Sequence, residues 1–182
     1  MADNSSPLKI TKLDAARRQL RAAITLWFND GDPVSIHTLA FAAHEIIHFV
    51  SKKKGRGRDL LFDSLVIRDE RRKEFNILMK SHATFFKHAR SDAEAVTEFH
   101  PILSRLFILF SILGVELSGE ALNDEESAFI WWLFIHEPAL LTEQGRKQIE
   151  DCIPVEHLRM LEGTAKHEFL EIARLARRLA GR

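Results

Sequence analysis

Residues 33–50 read PVSIHTLAFAAHEIIHFV, and this stretch decides the fold. At 100° per residue, Ile36, Leu39, Ala40, Ala43, Ile47 and Val50 form one apolar stripe, and Ser35 is a suitable N-cap, so the spacing predicts a helix. His37, His44 and His48 fall within about 40° of one another beside that stripe. Upstream, Asp30-Gly31-Asp32-Pro33 makes a turn. Before it, Leu13, Ala16, Leu20, Ile24, Trp27 and Phe28 follow helical spacing between Thr11 and Asn29, with Thr11 and Asp14 placed as a capping pair.

Downstream, the helix runs into the basic loop Lys52-Lys53-Lys54-Gly55-Arg56-Gly57-Arg58. A mostly apolar run, Leu60 to Ile67, leads to a long amphipathic segment from Asp69 to Ala89. There Phe75, Leu78, Met79, Phe86 and Ala89 share one face, acidic Asp69 and Glu70 suit the first turn, and Lys87 and His88 suit the last. Pro101 starts a very apolar helix reaching Leu117, and Asn123 or Asp124 caps another through Trp131, Trp132 and Phe134. After Pro138 come a short helix from Glu143 to Cys152 and a C-terminal helix. The latter carries Leu158, Leu161, Phe169, Ile172, Ala176 and Leu179, with Gly163 as a kink. Pro33, Pro101, Pro138 and Pro154 all sit where a helix begins, where a missing N–H costs nothing.

No strand-length alternation of apolar and polar residues occurs, and Ser64 to Ile67, the best strand candidate, is only four residues long. The expectation is an all-α protein: a single helical domain of six or seven helices over residues 11–180, behind a disordered N-terminal tail of residues 1–10.

Composition narrows the class. The 182 residues are 46% hydrophobic and 29% charged, which excludes low-complexity and collagen-like chains. Lys+Arg and Asp+Glu are both 26, so a globally basic nucleic-acid binder is excluded while a local basic patch is not. The first ten residues lack the apolar segment of a secretory signal, and one cysteine, Cys152, rules out an internal disulfide framework; both point to the cytoplasm. The longest apolar stretches, Leu106–Val115 and Phe129–Ile135, fall short of the roughly 20 residues that span a bilayer, so no membrane role is expected.

Three features carry candidate chemistry. His44-Glu45-Ile46-Ile47-His48 matches H-E-x-x-H: residues four apart share a helix face, so both imidazoles can reach one zinc ion while Glu45 serves as general base of a hydrolase. A catalytic zinc needs a third protein ligand. His82, on the apolar face of its own helix, supplies one if that helix packs on the first. The metzincin extension is absent, since Ser51 and Lys54 stand where Gly and His belong. Second, Lys52, Lys53, Lys54, Arg56 and Arg58 put five positive charges beside two glycines, a pattern suited to RNA or DNA phosphates. Third, His37, Lys87 and His88 lie near helix ends, where backbone groups are available to a polar pocket. Trp131 and Trp132 fit either core packing or a homodimer face.

The stretches Asp32-Pro33-Val34-Ser35-Ile36-His37-Thr38-Leu39-Ala40 and Phe85-Phe86-Lys87-His88-Ala89 resemble those of a group of uncharacterised helical bacterial proteins. More distantly, the Ala-rich helix, basic loop and following long helix are similar to HEPN helical domains, which include RNases and nucleotide-binding modules. No histidine here follows an arginine at the R-x4-6-H spacing of HEPN nucleases. The resemblance therefore implies a binding or regulatory helical module.

Overall fold

Thr11 opens α1 (Lys12–Phe28) with a reciprocal box: its hydroxyl accepts from the Asp14 N–H at 3.1 Å, and the Asp14 carboxylate accepts from the Thr11 N–H at 3.2 Å. The computed structural model describes residues 7–56, 60–88 and 92–180. Of the residues singled out above, Gly57, Arg58, Ala89 and the first six of the N-terminal tail lie outside that range.

The second helix, α2 (Pro33–Lys53), starts one turn earlier than its stripe suggests. Asp32, not Ser35, is its N-cap: the Asp32 carboxylate accepts from the Ser35 N–H at 2.7 Å, and Pro33 takes the first helical position. That hydrogen bond holds the Asp32 carboxyl below its usual range. At the other end Lys52 and Lys53 belong to the last turn, where cations complement the helix dipole.

The apolar run after α2 folds as a 3-10 turn at Leu61–Asp63 that buries Leu60, Leu61 and Phe62. Ser64 to Ile67 forms turns and no strand; Leu65 and Val66 face solvent. The segment expected to be helical from Asp69 to Ala89 is a 3-10 turn at Asp69–Arg71 followed by α3 (Arg72–Phe85). Arg72 tightens this entry by donating to the Ser64 and Ile67 carbonyls at 2.7 and 3.0 Å. On α3 Met79 and Ala83 are buried, whereas Leu78 is exposed and His88 lies beyond the helix end.

Five helices follow: α4 (Ile102–Leu117), α5 (Asp124–His136), α6 (Glu143–Cys152), α7 (Val155–Glu162) and α8 (Lys166–Ala180). Asn123 caps α5 through a second reciprocal box with Glu126, and the Thr142 hydroxyl caps α6. The C-terminal segment is two helices, because Gly163 caps α7 and Thr164 and Ala165 intervene before α8. The described residues are therefore all-helical, with no strand, and hold eight α-helices where six or seven are expected. None of these helices is long and apolar enough to cross a membrane.

One core cluster joins α1, α2, α4, α5 and α8. Helix α2 packs against both α1 and α4. At Gly114 of α4 an added Cβ would lie 2.3 Å from Ile47 Cγ2, so a larger residue there forces the helices to shift. Trp27 sits edge-on to Phe28, Phe129 and Trp132 with ring centroids 4.7–5.0 Å apart, and this cluster ties α1 to α5. Arg174 donates to Glu125 at 2.7 Å, and Arg177 donates to Ser127 at 2.8 Å and pairs with Asp124 at 3.4 Å, docking α8 onto the acidic first turn of α5.

Candidate functional site

Helix α2 carries its histidines inward. His37 and His44 are fully buried and His48 is 2% exposed, so they lie within the buried face and not beside it. Leu39 and Val50, assigned to the core stripe from sequence, are only half-buried. The cause is tertiary: Phe62 of the 3-10 turn, Phe107 of α4, and Phe86 and Phe99 on either side of the α3–α4 connection close over the histidine side of α2. The His44 ring meets Phe62 at 4.6 Å and Phe107 at 5.4 Å between centroids. The His37 ring meets Phe99 at 4.9 Å, Phe107 at 5.4 Å and Phe86 at 5.7 Å.

These walls leave the imidazoles short of polar partners. His37 Nδ1 lies 3.2 Å from Ser104 Oγ, but its Nε2 has no partner. Neither nitrogen of His44 has one, nor does His48 Nδ1. The hydroxyl of Ser51, one turn beyond His48, is likewise buried and unpaired. A neutral imidazole carries one donor and one acceptor, and burying either unpaired costs roughly 1–3 kcal/mol. Burial, reinforced by neighbouring His82 and Lys87, pushes the His37 pKa down to about 4. Burial, with His48 and Lys80 adding to it, pushes His44 down to about 3. For His48 burial also wins, against the attraction of Asp63, whose Oδ2 lies 3.4 Å from His48 Nε2. The row is thus neutral at physiological pH.

Cations on α3 and just past its end border this row. Lys80 Nζ stands 4.6 Å above the Phe62 ring and 3.8 Å from the Glu45 carboxylate, and Lys87 Nζ stands 4.9 Å above Phe41. The Lys87 charge also acts on His37, whereas His88 is exposed beyond α3.

His44 and His48 share a face with ring centroids 6.1 Å apart. His82 does not join them. Its Nε2 lies 2.8 Å from the Glu98 carbonyl, and its ring contacts are with His37, Phe86 and Phe99. Glu45 pairs with Lys80 at 3.8 Å and is partly exposed. Among the described residues no group of three or more His, Cys, Asp or Glu side chains is arranged to hold a metal ion.

The basic segment is partly neutralised. Lys52 donates to Asp63 at 2.7 Å, and Lys54 donates to the Ser118 carbonyl at 3.4 Å. Lys53 is exposed near Lys12, Glu45 and Phe49, and Arg56 lies beside Glu116 and Leu117. Sequence reasoning missed Asp63, which meets both His48 and Lys52; nothing in the spacing of residues 48, 52 and 63 reveals the shared contact. Comparison with protein-family models, with curated proteins and with solved structures yields no match.

Proposed function

We propose that this protein is a helical binding or regulatory module whose responsive element is the histidine row of α2 beneath α3. The observation that carries the reading is His44: fully buried, with both ring nitrogens unpartnered, between His37 and His48, each buried with one unpartnered nitrogen. A side chain kept at a loss of stability is the signature of a group retained for something other than folding. His37, with its unpaired Nε2 and Lys87 beside it, is the end of the row that the polar-pocket reading uses. The resemblance to HEPN-type domains that lack the nuclease motif supports the same noncatalytic reading.

The test is thermal and denaturant unfolding of His44→Leu at pH 7.5. Exchanging an unpaired buried imidazole for an apolar side chain of similar bulk is expected to leave stability unchanged or raise it by up to about 1 kcal/mol. A loss of about 2 kcal/mol or more identifies His44 as an ordinary structural residue and overturns the reading.

A further inference from the structure

A trough of about 460 Å³ lies on the far side of the molecule, between α5 and α8. Its walls are Ala128, Trp131 and Ile135 of α5 and Phe169, Ile172 and Ala173 of α8, with Ile153 and Leu161 from the segments around α7. Trp131 and Ile172 remain about two-fifths exposed although they face an apolar surface. We propose that this trough is a binding site for an uncharged, mainly apolar small molecule.

Size and charge select that occupant. The volume falls within the range of small-molecule sites, whose walls are characteristically apolar and aromatic with a few polar groups at one end. The surface the trough offers is far below the roughly 800 Å² per partner that a stable protein interface buries, so a second copy or a partner helix would be held too weakly by it. The polar end does not select for ions. Arg177 is committed on every arm, pairing with Asp124 and donating to the Ser127 hydroxyl and the Leu122 carbonyl. The Arg177 and Asp124 charges balance each other, so this end carries no net charge to select an anion or a cation. The trough is independent of the histidine row, since none of its walls comes from α2, α3 or α4.

The experiment titrates the full chain with N-phenyl-1-naphthylamine, a neutral apolar fluorophore, and in parallel with 1-anilinonaphthalene-8-sulfonate, which adds a sulfonate to the same rings. Saturable one-to-one binding of the neutral probe is expected, at least 10-fold tighter than the sulfonate. Ala176→Trp, at an exposed position lining the trough, is expected to weaken the neutral probe at least 10-fold with an unchanged circular dichroism spectrum. Ala176→Ser controls for a disturbed helix and should bind as the parent does. No saturable binding, equal binding of both probes, or binding indifferent to Ala176→Trp overturns the proposal. So does a concentration-dependent dimer in sedimentation that Ala176→Trp abolishes, because a second copy would then be the occupant.

Discussion

Glu126 and His44 are both fully buried, and the molecule treats them in opposite ways. Glu126 accepts from the Asn123 N–H at 2.8 Å and from Arg17 Nη2 at 2.9 Å, with Arg17 Nε 3.4 Å from its other oxygen. His44 has no polar partner for either nitrogen. The acid is a charge whose desolvation is answered by an opposite charge and a cap, and it joins α1 to the start of α5. The imidazole is answered only by aromatic walls. Satisfied burial marks a joint of the scaffold, and unsatisfied burial marks a position that folding alone does not explain.

The largest effect should come from breaking the satisfied site. Arg17→Ala leaves the Glu126 carboxylate buried beside its cap with no countercharge, and unfolding at neutral pH is expected to show a loss of about 3–5 kcal/mol. Arg17→Ala combined with Glu126→Leu should recover most of it. If the single variant loses under 1 kcal/mol, Glu126 is not the joint described above. A comparable test of the scaffold is Gly114→Ala, whose methyl would collide with Ile47; separation of α2 from α4 is expected to lower stability by about 1–3 kcal/mol.

Acid acts on the unsatisfied site. His37 and His44 are neutral in the folded protein well below the 6.5 of a solvated imidazole. The unfolded chain therefore binds protons below pH 6.5 that the native state refuses, and stability falls as the pH drops. For His37 the loss runs from pH 6.5 to about 4 and then stops; for His44 it continues to about 3. Each histidine contributes a slope of at most about 1.4 kcal/mol per pH unit within its window. Denaturant melts followed by tryptophan emission between pH 7.5 and 4 should show this decline, and His37→Phe with His44→Leu should flatten it. An unchanged slope in that double variant would mean that His48 and the carboxylates carry the acid sensitivity.

The scaffold side of this comparison was the legible side. Helix starts are written locally, in Thr11 with Asp14, in Asn123 at the head of α5, and in Pro33, Pro101 and Pro154, so most element boundaries fall where those residues place them. The burial of the histidines was not legible. A helical wheel puts His37, His44 and His48 at the edge of an apolar stripe, and only the closure of Phe62 and Phe107 over that edge, from segments far along the chain, turns edge into interior. Arg17 and Glu126 are 109 residues apart, and no local pattern pairs them. The H-E-x-x-H string shows the converse. Its spacing is real, but spacing fixes only a helix face; it says nothing of the third ligand, and His82 is spent on the Glu98 carbonyl.

Glu45 gives the smallest expected effect and the finest discrimination between the two kinds of site. Its carboxylate, partly exposed and 3.8 Å from Lys80, is neither a buried joint like Glu126 nor a member of the buried histidine row. An exposed pair of this kind contributes about 0–1 kcal/mol, and salt screens it. Glu45→Gln should therefore shift stability by less than about 0.5 kcal/mol and leave the acid profile set by His37 and His44 unchanged. A larger change, or an altered profile between pH 6.5 and 4, would show that Glu45 is coupled to the imidazoles through α2, restoring to the H-E-x-x-H string a unity that the geometry gives only to its two histidines.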